Sequence, residues 1–282
     1  MQKRRLGRTG ESLSVVGFGG VVVMNETPEA ARQYVAEAVR RGINYFDVAP
    51  SYGNAEERLG PALEPYRDTV FLACKTLERD REKAAAELRQ SLRNLRTDRF
   101  DLYQFHAVNT MEEVEQITGP GGALEAVLEA REQGLVRFLG FSSHAEPAAL
   151  AMLDRFAFDT VMFPFNWACW HDGSFGPRLL EKATKAGMGV LGLKALARRK
   201  LRDGEPRVRA KCRYAPVEDP EEAFLAMRFA LSLPLTATVS PGEPELLWWA
   251  CDAVERLASL TPDAAAALPL PGLVAEPLFG DV

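Results

Sequence analysis

Side chains that can donate, accept or stabilise protons stand at the ends of three consecutive apolar segments. Asp47 and Tyr52 follow the segment that begins at Asn44, Lys75 ends the next one, and His106 ends the third. A free phenol has a pKa near ~10 and is a weak acid at neutral pH. A nearby ammonium lowers the pKa of a phenol, and a carboxylate keeps that ammonium charged and oriented. The pattern predicts a relay of Asp47, Lys75 and Tyr52, with Tyr52 as a general acid.

His106 completes this group as a hydrogen-bond donor that orients a carbonyl oxygen. Each of the four residues also has a structural interpretation. An aspartate at a strand end often caps the next helix, a loop tyrosine usually packs, a lysine returns to solvent, and a lone histidine is commonly structural. All four structural interpretations would have to be true at once, at adjacent strands, so the functional interpretation is favoured. The group suits reduction of a carbonyl, which needs a hydride at carbon and a proton at oxygen.

The segments that carry these residues belong to a pattern in which predicted strands and helices alternate along the chain. Short apolar runs rich in β-branched and aromatic residues predict eight strands. These are Leu13–Gly19, Asn44–Ala49, Thr69–Lys75, Phe100–His106, Phe138–Ser142, Thr160–Asn166, Gly189–Lys194 and Thr236–Ser240. Apolar residues at three-and-four spacing predict helices between them. These are Thr27–Arg41, Arg81–Arg96, Gly122–Gln133, Pro147–Phe156, Pro177–Ala186, Glu221–Ser232 and Glu245–Leu257.

Mostly continuous hydrophobic strands that alternate with helices are typical of a parallel sheet covered on its outer face. Eight such units in 282 residues predict one α/β domain over 1–282, a closed (β/α)8 TIM barrel. The alternation in Gln2–Ser14 adds an N-terminal β-hairpin. An open dinucleotide-binding sheet is disfavoured, because Gly17-Phe-Gly-Gly20 is not a G-x-G-x-x-G turn before a helix. Barrel enzymes carry catalytic residues at the carboxyl ends of their strands, where the four residues above would meet.

Two irregular segments are expected over the barrel mouth. Ala197–Pro220 is charged and punctuated by proline and glycine, and is a candidate ligand-covering loop. From Thr261 onward the chain is rich in proline and alanine, which predicts an irregular tail lying over the barrel. The basic run from Arg198 to Arg202 reads as a solvated loop or as a contact to a phosphate-bearing ligand.

Composition excludes several classes of protein. The net charge is −5 with lysine and arginine dispersed among acids, which argues against a nucleic-acid partner. The 4 cysteines stand far apart without a C-x-x-C pair, so neither a metal cage nor a disulfide framework is indicated. No apolar run approaches the roughly 20 residues of a membrane span. The start of the chain lacks the apolar core of a signal peptide, and we expect a cytoplasmic protein with reduced thiols.

Three fragments resemble those of a known family. Phe46–Gly53 (Phe-Asp-Val-Ala-Pro-Ser-Tyr-Gly), Ala73–Thr76 and Leu102–His106 are similar to the Asp, Tyr, Lys and His segments of aldo-keto reductases, in the family's order and spacing. The likeness runs from the opening hairpin to the eighth strand. It implies an NAD(P)H-dependent oxidoreductase that transfers hydride to an aldehyde or ketone of a small molecule. It also implies a nicotinamide cofactor, usually NADPH, extended across the barrel mouth.

The resemblance further implies a set of cofactor contacts. Ser142 matches the serine of a Gly-x-Ser-Asn segment that holds the nicotinamide amide, and Ser143 replaces the asparagine. Asn166 falls where the family uses Gln or Asn on the same amide, and Leu193 stands where many members stack an aromatic ring. The full implied set is Gly20, Ser142, Ser143, Asn166, Leu193, Lys194, Leu196, Ser240 and Gly242.

The largest departure from the family follows the eighth strand. Ser240–Trp249 resembles a shortened adenosine-phosphate loop, and Leu246 takes the place of an arginine that often grips the 2′-phosphate. Glu243 and Glu245 add negative charge that would repel this phosphate. NADH, or use of both cofactors, is therefore an alternative to NADPH. Trp248 and Trp249 are interpreted as helix packing.

Two alternatives to a reductase stay open. An aldolase on the same barrel would use Lys75 as a Schiff-base nucleophile, although this leaves Asp47 and Tyr52 unexplained. A non-catalytic sensor or auxiliary subunit would keep a nicotinamide site without turnover. At the rim, His144 either contacts a ligand or begins a surface helix. Trp167, Trp170 and His171 either wall a substrate pocket or pack.

Overall fold

The computed structural model describes residues 1–259 and 275–279, and its centre is a closed barrel of eight parallel strands. The barrel strands are β3 (Val16–Gly19), β4 (Tyr45–Asp47), β5 (Phe71–Thr76), β6 (Phe100–Phe105), β7 (Val136–Ser142), β8 (Thr160–Pro164), β9 (Gly189–Leu193) and β12 (Ala237–Val239). They follow one another in chain order, and β12 pairs with both β9 and β3 to close the ring. The predicted (β/α)8 architecture is confirmed.

A hairpin of β1 (Lys3–Arg5) and β2 (Ser12–Ser14) precedes the barrel, as predicted. The expected first strand, Leu13–Gly19, is therefore two strands. Its first part pairs with β1, and the chain then turns at buried Ser14, whose hydroxyl donates to the Val16 carbonyl at 2.7 Å. Leu6 and Leu13 of the hairpin join the inner apolar cluster, so the hairpin closes the amino end of the barrel.

Ten α-helices surround the strands within the described ranges. They are α1 (Pro28–Arg40), α2 (Ala55–Leu63), α3 (Arg81–Asn94), α4 (Met111–Thr118), α5 (Ala123–Glu132), α6 (Glu146–Arg155), α7 (Trp167–His171), α8 (Pro177–Lys185), α9 (Pro220–Ser232) and α10 (Pro244–Ser259). Caps set their starts: Thr27 accepts from the Ala30 amide, and Asp80 accepts from the Glu82 and Lys83 amides.

Three of these helices were not predicted. Helix α2 contains Gly60 and Pro61, which interrupt its helical pattern, and α7 is only five residues long. Helix α4 lies between the predicted strand Phe100–His106 and the predicted helix Gly122–Gln133, and begins with a capping box between Thr110 and Glu113. Ala197–Pro220 also holds a short antiparallel pair, β10 (Ala197–Arg199) with β11 (Ala215–Pro216). Within the described ranges, no helix combines the length and apolar character needed to cross a membrane.

The barrel interior depends on close packing around Tyr45. A Cβ atom on Gly17 of β3 would lie 2.5 Å from the Tyr45 ring, so only glycine leaves space for the aromatic side chain at this point. The Tyr45 hydroxyl in turn donates to Asp47 Oδ2 at 3.2 Å. Gly17 of β3 thereby leaves room for the Tyr45 ring, whose hydroxyl binds Asp47 in β4.

Gly17→Ala should destabilise the protein, because the added methyl group overpacks the barrel. Overpacking a tight core typically costs about 1–3 kcal/mol. Urea denaturation monitored by circular dichroism measures the loss in the free energy of unfolding. Gly17→Ala should cost less in a Tyr45→Val background than in the parent, and equal stability of Gly17→Ala and the parent would contradict the packing assignment.

Candidate active site

The four predicted reactive residues meet at the carboxyl end of the barrel. Asp47 ends β4, Lys75 lies near the end of β5, His106 follows β6 directly, and Tyr52 lies in the turn before α2. All four line one cavity of about 660 Å³. Parallel strands bring their carboxyl ends to one rim, which is why residues far apart in sequence converge here.

The base of the cavity is a buried ion pair. Lys75 Nζ donates a short hydrogen bond to Asp47 Oδ1, and each residue is 1% exposed. Asp47 Oδ2 accepts from the Tyr45 hydroxyl at 3.2 Å and from Gln104 Nε2 at 3.0 Å. Burial lowers the pKa of Lys75, but Asp47 and Tyr52 together raise it, and the net pKa lies above the ordinary value. The lysine is therefore held as an ammonium.

Tyr52 lies directly above this pair. Lys75 Nζ is 5.3 Å from the centre of its ring, and the His106 ring meets it edge-on at 5.7 Å between centroids. Burial raises the pKa of Tyr52, Lys75 lowers it, and Asp47 raises it again, so the net shift is upward. This differs from the lowered pKa expected from the sequence, because enclosure of the phenol and the nearby carboxylate outweigh the ammonium. Tyr52 is accordingly protonated at neutral pH, as a proton donor must be.

His106 is held as a neutral imidazole. Burial, followed by the charge of Lys75 and further cationic neighbours, lowers the pKa of His106 to about 3. Ser51 Oγ lies 3.3 Å from Nδ1, and Arg79 donates to the His106 carbonyl at 2.7 Å. With the Ser51 hydroxyl donating to Nδ1, the ring proton is on Nε2, and that nitrogen is a hydrogen-bond donor to a ligand.

Tyr45, Gln104, Ser51 and Arg79 are supporting residues that the sequence analysis missed. Two of them, Tyr45 and Gln104, could have been identified from their positions in the strands. Tyr45 is two positions before Asp47 and so faces the same side of β4, and Gln104 is paired in register with Lys75. A polar side chain beside a charged one, on the inner face of an apolar strand, indicates a partner for that charge.

The implied cofactor residues divide into two groups. Ser142, Leu193, Lys194, Ser240 and Gly242 line the cavity, whereas Gly20, Ser143, Asn166 and Leu196 lie outside its lining. The Asn166 amide caps α7 by accepting from the Cys169 amide at 2.9 Å, and Ser143 Oγ accepts from the Ala145 amide at 3.0 Å. Leu196 is buried, and Gly20 packs against Val48. The side chains of Asn166 and Ser143 therefore bind the local backbone, whereas the resemblance implied that they contact the nicotinamide amide.

The segment Ala197–Pro220 borders the cavity and crosses its mouth. Arg207, Lys211, Arg213 and Tyr214 contribute to the lining. Lys211 Nζ donates to the Val22 carbonyl at 2.7 Å and to Glu26 at 2.5 Å, which ties the segment to the connection after β3. The expectation of a segment next to a ligand site agrees with this position.

The glutamates after the eighth strand are paired. Glu243 accepts from the Lys211 amide at 2.9 Å, and Glu245 forms a salt bridge with Arg209. Arg209 therefore offsets the charge of Glu245, and a backbone amide of the same segment holds Glu243. Leu246 is fully buried, while Trp248 and Trp249 pack on the outer core and are covered by Arg41 and Arg209.

The rim aromatics separate into packing and lining residues. Trp167, Trp170 and His171 each contact the Phe229 ring of α9, which assigns them to packing. His144 lines the cavity and stacks on Phe279 with 5.3 Å between ring centroids. Ala275–Phe279 of the expected tail thus lies at the rim, and the rest of the tail lies outside the described residues.

The two histidines at the mouth should make stability depend on pH. Burial lowers the pKa of His106 to about 3 and that of His144 to about 4, against roughly 6.5 in an unfolded chain. As pH falls below about 6.5, the unfolded chain binds protons that the native protein does not, so the free energy of unfolding decreases. Urea denaturation between pH 7.5 and about 5 measures this decrease.

His144→Gln should give a shallower decrease than the parent, since one of the two groups is removed. Gln90→Ala, at an exposed position of α3, controls for the effect of a substitution as such. An identical pH dependence in the parent and in His144→Gln would show that His144 titrates in the native protein as it does in the unfolded chain.

Comparisons with known proteins agree with this geometry. The Aldo/keto reductase family model matches residues 15–260. An uncharacterized oxidoreductase of Bacillus subtilis is 32% identical over 157 residues, which cover 51% of this chain and 49% of that protein. The L-galactose dehydrogenase of Arabidopsis thaliana is 28% identical over 215 residues, which cover 70% of this chain and 66% of the relative. The chain thus spans about half to two thirds of the length of these relatives.

A solved structure extends the likeness to nearly the whole fold. The holo form of an aldo-keto reductase from Bacillus halodurans superimposes with a TM-score of 0.73 at 25% identity and covers 94% of each chain. The family match includes all barrel strands and the four residues around the buried ion pair. The chain belongs to the aldo/keto reductase family.

Proposed function

We propose that the protein is an NAD(P)H-dependent oxidoreductase that reduces aldehyde or ketone carbonyls of small molecules to alcohols, with Tyr52 as the general acid. The observation that carries this proposal is the position of Tyr52 and His106, side by side above the buried pair of Asp47 and Lys75. Two neutral donors at one end of a cavity are what a carbonyl oxygen requires as negative charge develops on it.

The cavity also suits a nicotinamide dinucleotide. It runs from Tyr52 to Ser240 and Gly242 beyond the eighth strand, and about 660 Å³ lies within the range of ligand pockets. Leu193 offers an apolar surface to a nicotinamide ring, and the Ser142 hydroxyl can donate to its amide. Lys194 and Arg207 are cations for the pyrophosphate. When bound, the cofactor supplies a hydride to the carbonyl carbon.

The side chains of the protein supply the proton and hold its donor. The Tyr52 hydroxyl donates to the carbonyl oxygen and passes its proton as the oxygen becomes an alkoxide. The Lys75 ammonium stabilises the resulting phenolate, and Asp47 keeps that ammonium in place. His106 donates from Nε2 to the same oxygen and orients the carbonyl. Burial of the pair keeps these charges in a low dielectric, where they act most strongly.

An aldolase mechanism is disfavoured by the state of Lys75. A Schiff base forms from a neutral amine, which requires a lowered pKa. The pKa of Lys75 is instead raised by Asp47, and its amine is engaged in a buried ion pair.

The proposed cofactor is NADPH, the usual one in the family, with NADH accepted as well. Leu246 is buried and offers no charge to a 2′-phosphate, which removes one source of discrimination against NADH. Arg209 lies over Trp249 at this loop, yet it is already paired with Glu245. Glu245, paired with Arg209, repels a 2′-phosphate less than a free glutamate would, which favours acceptance of NADPH.

Tyr52→Phe tests the assigned role. Removing a general acid should lower kcat for an aldehyde by at least about a hundredfold, because general acid catalysis typically contributes a factor of this size. The cofactor dissociation constant, measured by fluorescence titration, should stay nearly unchanged. Tyr66→Phe is the matched control, since Tyr66 lies between α2 and β5 and away from the cavity. Undiminished turnover by Tyr52→Phe would refute the role of Tyr52.

A further inference from the structure

The cavity lining is strongly cationic. Among the described residues that line it, five are lysine or arginine (Lys75, Lys194, Arg207, Lys211 and Arg213), and the acid is Asp47. Two of the five are paired, Lys75 with Asp47 and Lys211 with Glu26. Within residues 1–259 and 275–279, the other three have no acidic partner in salt-bridge range.

These three cations occupy different places. Arg207 also borders a smaller cavity of about 260 Å³ inside the Ala197–Pro220 segment, so it lies on the outer side of the mouth. Lys194 follows Leu193 at the end of β9, and its ammonium sits 5.1 Å from the Tyr214 ring centre. Arg213 lines the same cavity as Tyr52 and His106, and its charge acts on both Lys194 and His106, whose pKa values burial lowers first.

Three unpaired cations exceed the charge of the pyrophosphate bridge that NADH and NADPH share. A pyrophosphate bridge carries roughly two negative charges and is commonly bound through cationic and amide groups. Lys194 and Arg207 balance these in the proposed cofactor site. Arg213 is left as an exposed guanidinium in the cavity that also holds Tyr52 and His106. An unpaired arginine in the lining of a substrate cavity is suited to an anionic group on the substrate.

We propose that the substrate is an aldehyde or ketone carrying a carboxylate, and that Arg213 binds this carboxylate. The inference rests on the proposed reductase function and specifies its substrate class. A planar guanidinium matches a carboxylate with two parallel hydrogen bonds, and one cation balances its single charge. A phosphate monoester carries up to about two charges and would call for a second free cation at the same end. His144, a neutral donor on the same rim, adds a hydrogen bond to the anion.

The test compares two aldehydes of nearly equal shape, para-carboxybenzaldehyde and its neutral counterpart para-nitrobenzaldehyde, with succinic semialdehyde and butanal as an aliphatic pair. The parent enzyme should show the higher kcat/KM for the anionic member of at least one pair. Arg213→Gln should reduce kcat/KM for that anionic aldehyde about tenfold or more, because a charge-assisted hydrogen bond is lost. The neutral aldehyde and the cofactor dissociation constant should change less than about twofold.

Two further variants sharpen the result. Arg213→Lys keeps the charge and should retain part of the preference for the anion. Arg202→Gln, in the same segment but outside the cavity lining, should leave the preference unchanged. Raising the salt concentration should weaken the preference of the parent enzyme, since exposed charges are screened.

The possible failures are distinguishable. Turnover of the neutral aldehydes without preference for the anionic ones, or an Arg213→Gln variant that keeps the preference, overturns the inference and leaves the reductase intact. An equal loss for both members of a pair with weakened cofactor binding assigns Arg213 to the cofactor and also overturns it. Turnover of none of the four aldehydes contradicts the reductase itself, and the inference falls with it.

Discussion

The buried ion pair of Asp47 and Lys75 is the constraint on which the rest of the site depends. Bringing two charges out of water costs several kcal/mol per ion, and removing one partner of a buried pair typically costs about 3–5 kcal/mol. The barrel offsets this cost by completing the hydrogen bonds of the carboxylate through Tyr45 and Gln104. The absence of a side chain at Gly17 is part of the same arrangement, because it leaves room for the Tyr45 ring.

This arrangement decides the protonation states above the pair. Lys75 stays charged, and its charge opposes protonation of His106, which is also enclosed. The same enclosure and the Asp47 carboxylate keep Tyr52 protonated. Burial, together with the charges of the ion pair, thus yields a neutral phenol and a neutral imidazole in the lining of a single cavity.

The local sequence pattern was sufficient to predict the barrel and the convergence of its reactive residues. Eight apolar runs and the carboxyl-end rule bring Asp47, Lys75 and His106 to one rim without reference to distant contacts. The failures have identifiable causes. Gly60 and Pro61 interrupt the helical pattern of α2, and the aromatic ring of Tyr45 makes it resemble a packing residue of β4.

Asn166 shows why the cofactor residues were harder to predict. The sequence does not distinguish a side-chain amide that binds a ligand from one that hydrogen-bonds to the local backbone. Here the Asn166 amide caps α7. The partners of the charged residues after the eighth strand were also hidden, because they are distant in sequence. Glu243 and Glu245 look repulsive in sequence, but their partners Lys211 and Arg209 come from a segment about thirty residues earlier, and no local pattern reveals that pairing.

The most direct measurement of the central claim is the oxidation of NADPH and NADH by the unmodified protein in the presence of an aldehyde, followed by the loss of near-ultraviolet absorbance. At least one cofactor should be oxidised only when both protein and aldehyde are present, with one alcohol formed per cofactor consumed. Binding of the cofactor without oxidation, across neutral and carboxylate-bearing aldehydes, would contradict the claim and would favour a non-catalytic nicotinamide-binding role.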